Sequence, residues 1–145
     1  MKIGYKILVM VFLFPLVLFA AEESPRNVLP VTPEALAIAG AVQWLKVIDA
    51  DNYDKGWTYA SEYLKNAVTK DSFKQSLQGV RSPLGGMKTR VLDKTQYTTS
   101  LPGSPDGEYV VMKFKTGFEN KADAVETLIS KKEEGQWKIA GYFIK

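Results

Sequence analysis

The sequence predicts an α+β domain in which N-terminal helices pack on a curved four-stranded antiparallel β-meander. Three observations carry this. Apolar residues recur at spacings of three and four as far as Val80, and alternate with polar residues after Leu84-Gly85-Gly86, a change of period from about 3.6 to about 2. Residues with capping chemistry stand before the helical runs. Short turns separate the later strand runs, and strands so joined pair antiparallel.

In chain order, residues 1–21 have the three-part layout of a signal peptide. Lys2 and Lys6 precede the apolar run Ile7 to Phe19, and Ala20 and Ala21 follow before Glu22-Glu23. That run is short for a membrane span, and Pro15 interrupts it, so a cleaved signal and a periplasmic or secreted location are expected. Residues 22–33, with Pro25, Pro30 and Pro33, read as an extended linker, leaving 34–145 as one domain. Without the leader the formal charge falls from +3 to +1, and no block of bases marks a nucleic-acid surface.

Thr32-Pro33-Glu34 begins a helix, with Thr32 as N-cap and Pro33 at the first position. Ala35, Ile38, Ala39, Val42, Leu45 and Ile48 form its inward stripe as far as about Ala50, with Trp44 beside the stripe and packed on the sheet. Asp51-Asn52 breaks it and caps a second helix whose face is Tyr53, Trp57, Ala60 and Leu64. A third starts at Thr69, presents Phe73, Leu77 and Val80, and stops at Ser82-Pro83. The strands then run from Met87 to Thr99, Glu108 to Phe118, Ala124 to Lys132 and Gln136 to Ile144, with Val110, Met112 and Phe114 on one face. The loop from Ser100 to Gly107, built on Pro102, Gly103, Pro105 and Gly107, is longer than hairpin turns need and could meet a partner.

The chain has no His and no Cys. This excludes imidazole acid/base work, thiol nucleophiles, thiolate metal sites, disulfides and lipid attachment through cysteine. No cofactor and no metal site are expected.

Several runs together resemble the domain-of-unknown-function 4019 family of small exported bacterial proteins. They are Trp44-Leu45, Asp49, Tyr53 and Trp57, then Val80-Arg81-Ser82-Pro83-Leu84-Gly85, Tyr97 to Gly103, Pro105 to Val111, and Gly135 to Lys145. The resemblance implies a bacterial, Gram-negative envelope location and transfers no catalytic residue. In shape, a helix ending in Ala-Asp-Asn-Tyr, a Trp-bearing helix and a meander are similar to the nuclear transport factor 2-like, or cystatin-like, cone. Such cones often enclose a pocket between sheet and helices; some are enzymes, others dimers or accessory domains.

Chemistry at such a pocket would need a carboxylate raised toward neutrality by burial. Asp93 shares strand parity with Met87 and Val91, and Glu126 shares it with Leu128, so these two acids are the candidates, although one bulge would turn Asp93 outward. No catalytic residue is assigned beyond them. Trp57, Tyr97, Tyr109 and Tyr142 could line a ligand site, or serve as ordinary core. Arg90, with Lys88 and Lys94, could form a positive strip for an anionic ligand or protect a sheet edge, while Arg81 suits a helix C-terminus. The expectation is an exported, non-enzymatic module binding a small molecule or an envelope protein. It touches no nucleic acid and meets the membrane only through its signal peptide. The alternatives are a carboxylate-dependent enzyme with a pocket between sheet and helices, and a homodimer joined through the outer sheet face.

Overall fold

The computed structural model describes residues 30–145, so the expected signal peptide and residues 22–29 of the expected linker lie outside the described residues. Four helices, α1 (Pro33–Asp49), α2 (Tyr53–Thr58), α3 (Glu62–Ala67) and α4 (Lys70–Leu84), precede four strands. These are β1 (Met87–Thr98), β2 (Tyr109–Phe118), β3 (Lys121–Glu133) and β4 (Gln136–Ile144). The strands form one antiparallel sheet in the order β1-β2-β3-β4, with the helices on one face, which is the α+β architecture the pattern predicts. Among the described residues no helix is long and apolar enough to cross a membrane.

α1 begins where its capping residues place it. The Thr32 hydroxyl accepts from the Ala35 amide, Pro33 occupies the first turn, and Glu34 sits at the positive end of the dipole. Its buried stripe is Ala37, Ala41, Trp44, Leu45 and Ile48, a rotation from the expected one that leaves Ala35, Ala39 and Val42 in solvent. Trp44 decides the rotation. Its ring packs edge-on to Phe73 and Tyr142, and its indole N–H donates to the Gly56 carbonyl at 2.9 Å. Burying the largest side chain on the helix outweighs keeping Val42 dry.

The single helix expected after Asn52 is two. At Ala60 the chain extends, bridges Ile139 on the β4 edge, and sends the Ser61 N–H to the Ile139 carbonyl at 2.9 Å. Ser61 then caps α3, and the Glu133 carboxylate takes the amides of Glu62 and Tyr63 at 2.9 and 3.2 Å. α4 starts on the Thr69 cap but runs through Pro83 to Leu84 instead of stopping. Its freed last carbonyls are satisfied from the β2–β3 turn, where Asn120 donates to Leu84 and Pro83. Gly85, at φ 74°, ends it. Its buried residues are Phe73, Leu77 and Arg81, while Val80 is 47% exposed.

The inner sheet face offers Val110, Met112, Phe114, Leu128 and Ile139 to the helices, and these close the core. β1 is the exposed edge, and register shifts lie at Met87/Thr89 and Leu92/Lys94. The loop before β2 is held by its own chain. The Tyr109 hydroxyl donates to the Pro105 carbonyl at 2.6 Å, and Tyr63 meets Ser104 at 3.3 Å. Within it Gly103 takes φ 77°, the left-handed turn position.

Candidate functional site

The inward face of the sheet carries polar residues where β1, β2 and β3 meet the ends of α1 and α4. Thr116 continues the parity of Val110, Met112 and Phe114, and Glu126 lies between the inward Ala124 and Leu128. Arg90 stands opposite Thr116 on β1. From the helix side come Asp49, the last residue of α1, and Arg81, which follows Phe73 and Leu77 at four-residue spacing. Tyr142 reaches in from β4, opposite Leu128.

These groups form one closed network. Glu126 is fully buried, and its Oε2 accepts from Arg90 Nε at 2.5 Å and from the Thr116 hydroxyl at 2.5 Å. Its Oε1 accepts from Arg90 Nη2 at 3.1 Å and from the Tyr142 hydroxyl. Asp49 takes both Arg90 Nη1 and Nη2, at 2.6 and 2.9 Å, together with Arg81 Nη2 at 2.7 Å. Arg81 Nη1 donates to the Tyr142 oxygen at 2.8 Å, so Tyr142 passes hydrogen bonding from Arg81 to Glu126. The Arg81 guanidinium also lies over the Phe118 ring at 5.3 Å. Two guanidiniums face two carboxylates, so the buried cluster carries no net formal charge.

Burial and pairing oppose each other here. Burial pushes the Asp49 carboxyl up, but hydrogen bonds and charge from Arg90 and Arg81 outweigh it and hold the group below its ordinary value. Burial lowers both guanidiniums, and their carboxylate and hydroxyl partners more than restore them. The Tyr142 hydroxyl is pushed far up, first by burial and then by the Glu126 charge. Nearby, burial and Asp51 push Tyr53 up to about 12.

Two clefts border the network. One of about 330 Å³ lies between α1 and the β1–β2 pair, with Ile38, Val42, Leu45, Met87, Leu92 and Phe114 as apolar walls and Asp49 and Arg90 also lining it. The other, of about 470 Å³, is polar and includes Asp49, Asp51, Tyr53, Gln78, Arg81 and Ser82. Asp49 lines both.

Glu126, Arg90 and Tyr142 are thus brought together, and the other candidates lie elsewhere. Asp93 sits at the Leu92/Lys94 bulge and pairs with Lys115 on the outer face at 3.1 Å. The parity argument fails there because the Met87/Thr89 shift has already reversed the faces, leaving Val91 65% exposed. Trp57 packs on Phe73 at 5.5 Å between centroids. Tyr97 reaches Glu108 from an exposed position, and Tyr109 is sealed beneath the loop that its hydroxyl holds. None of these three lines either cleft. The expected strip of Arg90, Lys88 and Lys94 does not form, since Arg90 turns inward and Lys88 pairs with Glu119 at 3.3 Å.

Sequence reasoning missed Asp49, Arg81 and Thr116 as members. The Phe73-Leu77-Arg81 spacing and the Val110 to Thr116 parity were the signals that could have found two of them. Among the described residues no group of three acids could hold a metal ion.

A family model described as Protein of unknown function (DUF4019) matches residues 40–142, a span that contains all six network residues. No curated protein and no solved structure matches the chain.

Proposed function

From the premise that this chain belongs to the DUF4019 family, we propose that it is an exported, non-enzymatic binding module of the bacterial envelope. Its site is the cleft between α1 and the β1–β2 pair, and its ligand is small, with an apolar body and one hydrogen-bonding end. The observation that carries this reading is the lining of that cleft: six apolar side chains with the Asp49–Arg90 pair and Lys46 among them, around about 330 Å³. Ligand sites of this size are built in this way, with a few fixed polar groups orienting an apolar molecule. Pairing inside the network supports binding over chemistry. A general acid or base needs a proton it can exchange, yet each carboxylate oxygen of Asp49 and Glu126 already accepts from an arginine. Export rests on Lys2, Lys6, the Ile7 to Phe19 run and the alanines after it.

The test is a titration with N-phenyl-1-naphthylamine, a neutral probe that fluoresces in apolar surroundings. Saturable binding is expected, with Val42→Trp, at the cleft wall, abolishing it while leaving the melting temperature unchanged. Equal binding by wild type and Val42→Trp, or none by either, would overturn the assignment of the site.

A further inference from the structure

The outer face of the sheet carries a second feature, independent of the cleft. On it Lys94 stands directly opposite Lys113, and Lys131 directly opposite Lys138. Like charges facing each other across strands destabilise a sheet. None of these four lysines has an ion-pair partner among the described residues, although Lys131 lies over the Tyr109 ring at 5.9 Å, whereas the acids on this face, Asp93 and Asp123, are paired with Lys115 and Lys121. Large apolar side chains stand among the lysines: Val91 is 65% exposed, Phe143 55% and Val125 37%. Phe143 ends the cross-strand row Lys94, Lys113, Thr127, Phe143. Beside Lys115, a cleft of about 580 Å³ opens between Val91 and Val125.

We propose that this face docks on the surface of an anionic phospholipid bilayer. Unpaired lysines repel one another in water and are relieved when each meets a headgroup phosphate. Exposed valine and phenylalanine lose water when they settle at the boundary between headgroups and acyl chains. A phospholipid offers both partners in one molecule. Nucleic acid would use the lysines and leave Phe143 and Val91 wet; a neutral protein would cover the apolar residues and leave four cations unanswered.

The full chain suits a labelling test, because it contains no cysteine. An environment-sensitive fluorophore is attached at Phe143→Cys or Val91→Cys on the outer face, and at Gln75→Cys on the exposed side of α4 as reference. Vesicles of equal parts phosphatidylglycerol and phosphatidylcholine are compared with phosphatidylcholine alone. The outer-face labels are expected to shift to the blue on the anionic vesicles only, while the α4 label does not move. Adding Lys94→Glu with Lys113→Glu should weaken the shift by more than about tenfold in lipid concentration, and salt near 0.5 M should reverse it. Val91→Cys gives a second reading should the Phe143 variant fold poorly. Equal shifts at the outer face and α4, equal shifts on neutral vesicles, no shift on either, or a charge-reversed variant that responds like its parent would each overturn the proposal. So would suppression of the shift by soluble polyglutamate at matched charge, which would make an acidic protein the partner.

Discussion

Glu126 is fully buried and yet bonded to three side chains, so its charge is tolerated only because Arg90, Thr116 and Tyr142 surround it. Breaking a buried pair from one side strands the other charge. Glu126→Gln is therefore expected to cost about 3–5 kcal/mol in denaturant unfolding, and a loss below about 1 kcal/mol would show that Arg90 finds compensation elsewhere. The pH dependence has two limbs. Asp49 is held below its ordinary value of 3.8 in the fold, so its contribution is present above that pH and is lost as the pH falls through the lower folded value. Tyr142 is held above its ordinary 10.0, so the folded protein keeps a proton that the unfolded chain releases, and stability falls as the pH rises beyond 10. Tyr142→Phe should flatten that alkaline limb in melting curves; an unchanged limb would place its origin in Tyr53 or Tyr109, whose hydroxyls are also held above the ordinary value. At this scale the sequence was legible where periodicity was unbroken, as at Glu126 beside Leu128. It was illegible at Asp93, because the register shift at Met87/Thr89, which depends on the partner strand, had already reversed the faces.

Elements followed local chemistry closely and departed from it where a distant partner intervened. The caps at Thr32, Asn52 and Thr69 and the strand β4 are local features, and each stands where the residues put it. The break between α2 and α3 is not local, because Ala60 leaves the helix to bridge Ile139 nearly eighty residues later. Likewise Pro83 is carried inside α4 because Asn120 supplies donors to the last turn. The rotation of α1 was hidden because its alanines and valines satisfy more than one stripe, and only the docking of Trp44 chooses between them. Phe114→Ala, at the centre of β2 and 3% exposed, should cost about 3–5 kcal/mol. Val80→Ala on α4 should stay within about 0.5 kcal/mol. Urea unfolding of both variants checks the face assignment, and reversed magnitudes would mean that α4 packs on its Val80 side.

The molecule as a whole is a sheet with helices on one face and the other face open. Its α+β class was legible because the apolar period changes once, at Leu84-Gly85-Gly86, and helices ahead of a meander have few ways to cover one sheet face. The network, the cleft beside it and the basic outer face were not legible as units, since each joins residues from at least three elements. On the proposed reading, the cleft between α1 and the β1–β2 pair holds a small ligand beside a network that does no chemistry. The decisive experiment is native mass spectrometry of the protein purified without refolding from its host, with Val42→Trp prepared in parallel. A small co-purifying mass is expected on the wild-type protein and not on Val42→Trp. A bare wild-type mass, or the same adduct on both proteins, would contradict it.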